Sequence, residues 1–134
     1  VDKEGRKMWV KEIYGKPNLS TEEIATRNKM ECGMDLIICD NSEPRLINEM
    51  KRKGVNVKPT VKRQGSILSG IALMQDFEII VDRESHGVIR ELNNYTWQDK
   101  NSKPIDKWNH FLDACRYGLQ YLVQGVNSGK YVVR

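Results

Sequence analysis

Acidic and imidazole side chains at two places in the chain could bind a divalent cation. The first is Asp40, which directly follows the short apolar run MDLIIC and precedes a stretch typical of a helix start. In α/β sheets ligands bind at the carboxyl edge, because loops and helix N-termini converge there. Position alone favours a simpler role, in which Asp40, Asn41 or Ser42 caps the following helix. Both roles are compatible if Ser42 caps the helix and Asp40 stays free.

The second place is the segment DKWNHFLDACRYG, residues 106–118. At about 100° per residue, a helix places four of its polar side chains within a sector of roughly 60°. These are Asp106, His110, Asp113 and Tyr117. A carboxylate and a histidine one turn apart could serve as a metal ligand and an outer-shell base. The solvated face of any amphipathic helix shows the same pattern, and spacing alone favours that interpretation.

A basic stretch between Arg45 and Arg63 could bind phosphate. It contains seven basic residues and one acid, a local net charge of +6, whereas the whole chain carries +4. Such clustering is the electrostatic footprint of a phosphate-binding surface. A solvated helix face followed by a solubilising loop would look similar. Within this stretch, Lys58, Lys62 and Arg63 lie in the loop KPTVKRQG.

Length and composition limit the class of protein. The 134 residues suit one domain, and 39% hydrophobic with 30% charged residues are typical of a globular chain. Three cysteines without C-x-x-C spacing argue against a disulfide framework or a cysteine zinc site, and favour a reducing cytoplasm. No apolar run approaches the roughly 20 residues of a membrane span. The P-loop-like segment 125–131 has one residue too few between its glycines, so it predicts no nucleotide site.

Helical patterns alternate with short apolar runs, which predicts a single α/β domain. Ser20 with Glu23 forms a capping box at the first helix. The run 34–39 is typical of a strand buried on both faces. The other predicted strands cover 7–14, 55–57, 77–81 and Tyr131–Val133, and the predicted helices cover 20–32, 42–53, 66–75, 84–94 and 105–124.

Six segments, taken in order, resemble the C-terminal nuclease domain of the large terminase subunit of tailed bacteriophages and prophages. Each segment is weak evidence alone, but the ordered set with compatible spacings is specific. The segments are IICDNSEP (37–44), NEMKRKGVNV (48–57), GSILSGI (65–71), EIIVD (78–82), ELNNYTW (91–97) and DKWNHFLDACRYG (106–118).

This resemblance implies a ribonuclease H-like fold, a mixed sheet flanked by helices, and a metal-dependent endonuclease. Such enzymes cut concatemeric viral double-stranded DNA during packaging. In the family, three acidic residues hold two divalent cations, Mg²⁺ or Mn²⁺. The I-C-D-x-x-E-P motif places one of these acids at Asp40. The N-H-x-x-D motif places another at Asp113, with His110 as an accessory residue close to the metals.

The resemblance also suggests roles for neighbouring residues. Glu43 could join the cluster or orient a ligand, although stabilising the helix start is the more usual role of such a residue. Lys58, Lys62 and Arg63 would bind the DNA backbone without reading its sequence. The family's partners are the terminase small subunit and the portal protein, and its location is the host bacterial cytoplasm.

In the family the first acid lies on a central strand ahead of the hairpin, and this sequence starts after that strand. The resemblance therefore predicts that residues 1–134 are one partial nuclease domain, without the packaging ATPase and with an incomplete metal cluster. Strand 7–14 would then pair directly with strand 34–39, or another chain would fill the gap. The main alternative is a DNA-binding or assembly module that has lost catalysis. A transposase or resolvase fits the motif pair less well.

Overall fold

A computed structural model describes residues 1–99 and 102–124, which contain four strands and five helices. The strands are β1 (Lys7–Val10), β2 (Ile37–Cys39), β3 (Val57–Pro59) and β4 (Glu78–Val81). The helices are α1 (Thr21–Cys32), α2 (Pro44–Arg52), α3 (Ser66–Gln75), α4 (His86–Asn94) and α5 (His110–Gln124). The predicted α/β alternation is confirmed. The strand predicted at Tyr131–Val133 and the P-loop-like segment lie outside the described residues. None of the described helices is long and apolar enough to cross a membrane.

The four strands form two separate two-stranded parallel sheets. In the first sheet β1 pairs with β4, and Met8 lies opposite Ile79. In the second sheet β2 pairs with β3, and Ile37 lies opposite Val57. Direct pairing of strand 7–14 with strand 34–39 is therefore not the observed arrangement. Within residues 1–99 and 102–124, no strand joins the two sheets into the single mixed sheet that the sequence suggested.

Each sheet packs on its own hydrophobic cluster. The first cluster joins β1, α3 and α5 through the buried side chains of Met8, Met74, Phe77, Leu112 and Leu119. The second joins α1, α2 and β3 through Ala25, Ile47, Met50, Val55 and Val57. Helix α5 contacts α3, α4 and also β2. It therefore connects the first cluster to the second sheet.

The N-cap predicted at α1 is confirmed. Ser20 is the N-cap, and its hydroxyl oxygen accepts a hydrogen bond of 3.1 Å from the backbone N–H of Glu23. This bond satisfies one of the free donors of the first helical turn. Gly33 ends the helix with φ of 57°, a conformation that glycine adopts without strain.

Several predicted elements have other bounds in the structure. The strand predicted at 7–14 ends at Val10, and the strand predicted at 55–57 lies at Val57–Pro59. Helix α5 begins at His110 and not at Ile105, because Trp108 has φ of 59° and interrupts the helical backbone. The run 34–39 is not buried on both faces. Only its second half forms β2, and the side chains of Met34 and Leu36 are 74% and 38% exposed.

Candidate functional site

Asp40 lies directly after β2, and hydrogen-bond donors from three residues surround its carboxylate. Oδ1 accepts from the ammonium of Lys62 at 2.6 Å and from the backbone N–H and hydroxyl of Ser42, both at 2.9 Å. Oδ2 accepts from the hydroxyl of Tyr117 at 3.3 Å. The prediction that Asp40, Asn41 or Ser42 caps α2 was wrong. The N-cap is Glu43, without a side-chain capping bond.

The ion pair between Asp40 and Lys62 shifts the pKa values of both side chains. Partial burial raises the pKa of the Asp40 carboxyl, but hydrogen bonds from Lys62 and Ser42 outweigh it and lower the pKa from 3.8 to about 2. The same hydrogen bond raises the pKa of Lys62. The two side chains are 33% and 40% exposed, so solvent and ions reach both groups.

Thr60 holds the basic loop close to Asp40. Its backbone N–H donates to the carbonyl of Cys39 at 2.8 Å, and its hydroxyl accepts from the N–H of Asn41 at 3.0 Å. Since β2 and β3 are parallel, their carboxyl ends lie at the same edge, and these bonds continue the pairing beyond the strands. Lys62 follows Thr60 by two residues and is thereby kept within reach of Asp40.

Two tyrosines one turn apart on α5 contact Lys62 of the basic loop and Lys58, which the structure places in β3 and not in the predicted loop. The ammonium of Lys62 lies 5.7 Å from the ring centroid of Tyr117, and that of Lys58 lies 5.6 Å from the ring centroid of Tyr121. Both distances are those of cation–π contacts. Lys58 also donates to the Tyr121 hydroxyl at 3.2 Å. Arg63 is exposed one residue beyond Lys62.

Asp113 lies one turn before Tyr117 on α5 and pairs with a buried arginine. Its Oδ1 is 3.3 Å from Nη2 of Arg116, whose guanidinium also donates to Gln120 at 3.4 Å. The guanidinium carbon lies 4.8 Å from the ring centroid of Tyr117. His110, the first residue of α5, is exposed three positions before Asp113.

Tyr117 therefore connects the two acids that the sequence motifs identified. Its hydroxyl binds Asp40, and its ring lies against Arg116, the ion-pair partner of Asp113. Glu43 is exposed at the start of α2. Carboxylate oxygens are the hard ligands that Mg²⁺ and Mn²⁺ prefer, so these acids fit part of a metal site. In the described portion of the chain, no group of three or more His, Cys, Asp or Glu side chains is placed to hold a metal.

Sequence analysis missed the residue that fixes the start of α5. Glu91 is only 6% exposed, and its Oε1 accepts from the backbone N–H groups of Phe111 at 2.8 Å and Leu112 at 3.0 Å. These are free donors of the first helical turn. Helical spacing in 84–94 predicts an apolar stripe of Val88, Ile89 and Leu92 facing the core, but Leu92 is 38% exposed. The position of Glu91 three residues after the buried Val88 was the available signal.

Glu12 has the same role at α4. Its Oε2 accepts from the backbone N–H of Gly87 at 2.8 Å, and its own N–H donates to the hydroxyl of the buried Ser85 at 2.8 Å. The segment after β1 therefore positions α4. Glu91 on α4 in turn positions the end of α5 that carries His110 and Asp113.

Comparison with known proteins gave one family and several structures. The sequence matches the family described as the terminase RNAseH like domain over residues 1–121. The structure is similar to the g2p (large terminase) nuclease domain of bacteriophage SPP1 with bound Mn, with a TM-score of 0.75 and 28% identity. This likeness covers 91% of this chain and 75% of the SPP1 chain. No curated protein matches the sequence.

Two structures of the large terminase from a thermophilic bacteriophage are also similar. The first has a TM-score of 0.65 and 23% identity over 78% of this chain and 30% of the phage chain. The second, in complex with ATP-gamma-S, has a TM-score of 0.63 and 24% identity over 76% and 29%. This chain thus spans about three tenths of that large terminase, and at these identities the likeness shows the fold alone. The expected ribonuclease H-like fold is confirmed.

Proposed function

Because the chain belongs to the family of terminase RNase H-like domains, we propose that it hydrolyses double-stranded DNA with divalent metal ions as the nuclease domain of a large terminase subunit. The substrate is concatemeric viral DNA, cut during packaging in the host bacterial cytoplasm, where the small subunit and the portal protein are partners. One observation carries the proposal. Tyr117 joins Asp40 to the helix that carries Asp113, beside a basic loop.

Asp40 and Asp113 would hold Mg²⁺ or Mn²⁺ through their carboxylate oxygens. Such ions activate a water molecule and stabilise the leaving oxygen of a phosphodiester. The side chains of Asp40 and Asp113 are each 33% exposed, so an ion can reach them from solvent. Further support comes from the SPP1 nuclease domain, which is 28% identical and was crystallised with bound Mn.

The remaining residues of the site would accept a proton, bind the DNA backbone or orient a ligand. His110 is exposed at the start of α5 and would accept a proton near Asp113. Lys58 and Lys62 lie beside α5 at the same edge as Asp40, and Arg63 follows them. Their positive charges would bind phosphates of any DNA sequence. Glu43, exposed at the N-cap of α2, would orient a ligand.

A second candidate function is a DNA-binding or assembly module that does not cleave. The ion pair between Lys62 and Asp40 favours it, because a carboxylate that binds an ammonium is less available to a metal ion. Calorimetric titration with MnCl₂ separates the two candidates. A nuclease site takes up Mn²⁺ and loses this uptake in Asp40→Asn, whereas a binding module takes up none.

Plasmid nicking in the presence of Mn²⁺ tests the nuclease directly, on the protein that carries this chain. We expect Asp40→Ala and Asp113→Ala each to abolish nicking. Asp106→Ala is the matched control, because Asp106 is an exposed acid that precedes α5 and interacts with Asn109. It should retain activity. Unchanged cleavage by both Asp40→Ala and Asp113→Ala would overturn the assignment.

A further inference from the structure

The ammonium of Lys62 occupies the place of a cation at Asp40. Its Nζ lies 2.6 Å from Oδ1, the distance of a strong charge-assisted hydrogen bond. Oδ1 also accepts two hydrogen bonds from Ser42, while Oδ2 accepts one from Tyr117. A metal ion that binds Oδ1 must therefore displace a donor from an oxygen that already has three.

Of the donors to Oδ1, the Lys62 ammonium is the one that a divalent cation would displace most readily. The ammonium and the metal ion are both positive and repel each other at contact distance, whereas the N–H and hydroxyl of Ser42 are neutral. Lys62 also lies on an irregular loop with a side chain that is 40% exposed. Its departure would leave an Asp40 side chain that is 33% exposed to solvent.

A displaced Lys62 stays at the same edge of the molecule. Thr60 anchors the loop to the end of β2, and the ring of Tyr117 lies 5.7 Å from the ammonium. Lys58 lies beside the next tyrosine along α5, so the two lysines follow one line on the surface. A DNA backbone bound along that line would place a phosphate near the released ammonium.

We propose that Lys62 is a tethered cation that competes with a divalent metal ion for Asp40, and that metal binding releases its ammonium to a DNA phosphate. This inference rests on the proposed function, because it takes Asp40 to be a metal ligand. It adds a thermodynamic coupling between the binding of the metal ion and the binding of DNA. Metal binding increases the affinity for the DNA backbone, and DNA binding increases the affinity for the metal ion by the same factor.

Calorimetric titration with MnCl₂ tests the competition. We expect Lys62→Met to bind Mn²⁺ about two- to fivefold more tightly than the unmodified chain, the range expected for a partly exposed ion pair. Lys58→Met is the matched control. It removes the same charge from the same surface, but Lys58 contacts Tyr121 and not Asp40. Its Mn²⁺ affinity should equal that of the unmodified chain.

The outcomes distinguish this inference from the proposed function. Detectable binding by Lys62→Met alone supports the competition. Equal or weaker binding by Lys62→Met overturns it and leaves the metal site in place. Absence of Mn²⁺ binding from every variant overturns both the metal site and the competition. Retention of binding in Asp40→Asn overturns the competition, since Asp40 is then not the contested ligand.

The salt dependence of DNA binding tests the second half of the inference. The affinity for a short DNA duplex is measured at several NaCl concentrations, with and without Ca²⁺ as the divalent metal ion in place of Mn²⁺. With Ca²⁺ present, Lys62→Met should reduce the slope of log affinity against log salt by about 0.9, the effect of one lost phosphate contact. Without Ca²⁺ the slopes should coincide. The same reduction under both conditions, or no reduction with Ca²⁺, overturns the release of Lys62 by metal.

Discussion

Tyr117 donates a hydrogen bond from its hydroxyl to Oδ2 of Asp40 across 3.3 Å, although 77 positions separate the two residues in the sequence. The bond ties α5 to the end of β2. Helical spacing placed Tyr117 on the same face as Asp113 but gave no sign of Asp40. The hydrogen bond therefore links the motif on α5 that contains Asp113 to the motif that contains Asp40.

Tyr117→Phe removes this bond and retains the ring that Lys62 and Arg116 contact. We expect the free energy of unfolding, measured by urea denaturation, to fall by about 0.5–1.5 kcal/mol. The loss should largely disappear when Asp40 is already Ala, in a double-mutant cycle. Tyr121→Phe is the control, because its hydroxyl binds Lys58 in a more exposed position. A loss that is the same with and without Asp40 would contradict the bond.

Lys62→Met should raise the pKa of Asp40. In the unmodified chain the hydrogen bonds from Lys62 and Ser42 hold this pKa at about 2, below the usual 3.8, against the effect of burial. Without the ammonium, burial acts against fewer hydrogen bonds. An NMR titration of the Asp40 carboxyl carbon measures the change, and Lys58→Met should leave the pKa unaltered. A pKa that stays near 2 in Lys62→Met would show that Ser42 alone lowers it.

The same ion pair predicts how stability depends on pH. Because the folded-state pKa of Asp40 is lower than the unfolded value, its contribution is fully present above about pH 4. The contribution is lost as the pH falls toward 2. We therefore expect the difference in unfolding free energy between the unmodified chain and Lys62→Met to shrink over this interval. A difference that is constant from pH 6 to pH 2 would contradict the prediction.

Glu91→Ala should destabilise the protein because it leaves two backbone donors of α5 without their buried acceptor. Hydrogen bonds to a charged group contribute about 1.5–3 kcal/mol each, so we expect a loss of at least about 2 kcal/mol in urea denaturation. Glu91→Gln retains one acceptor oxygen and should lose less. Glu84→Ala is the control, since Glu84 is exposed and its carboxylate pairs with exposed His86. Equal effects of Glu91→Ala and Glu84→Ala would contradict the capping role.

Gly70→Ala should destabilise the contact between α3 and α5. A methyl group at Gly70 would lie 2.6 Å from Cγ and Cδ of the buried Arg116, which would have to move relative to Asp113. Overpacking of this kind costs about 1–3 kcal/mol. Gly118→Ala is the matched control on α5, because a methyl group there meets none of the described residues within 4 Å. It should stabilise the helix by up to about 1 kcal/mol. A neutral Gly70→Ala would contradict the tight packing.

Elements with local causes were predictable from the sequence. Helix α3 has the predicted bounds, Ser66–Gln75, and Ser20 caps α1 as predicted. In both cases the determining residues lie within one or two helical turns of each other. Apolar periodicity and side-chain capping are short-range effects, so a single sequence contains them.

Features with distant causes were not predictable. The start of α5 depends on Glu91, about twenty residues earlier, and the pairing of β1 with β4 joins segments about seventy residues apart. Hydrophobic periodicity also predicts Leu92 in the core. It contains no sign that the neighbouring carboxylate of Glu91 is buried instead, to accept hydrogen bonds from the start of α5. In the candidate site, the motifs identified Asp40 and Asp113. Their connection through Tyr117 depends on the fold.

The division into two hydrophobic clusters determines which part of the structure should unfold first. Asp113 lies on the helix that packs in the first cluster, while Asp40 follows a strand of the sheet that packs on the second. Polar, partly exposed bonds join them, so parting α5 from β2 should require less free energy than unfolding either cluster. We expect sub-global opening to disassemble the site first. In mild urea, loss of the proposed nuclease activity should then precede the loss of helical circular dichroism, since the two acids belong to different cooperative units.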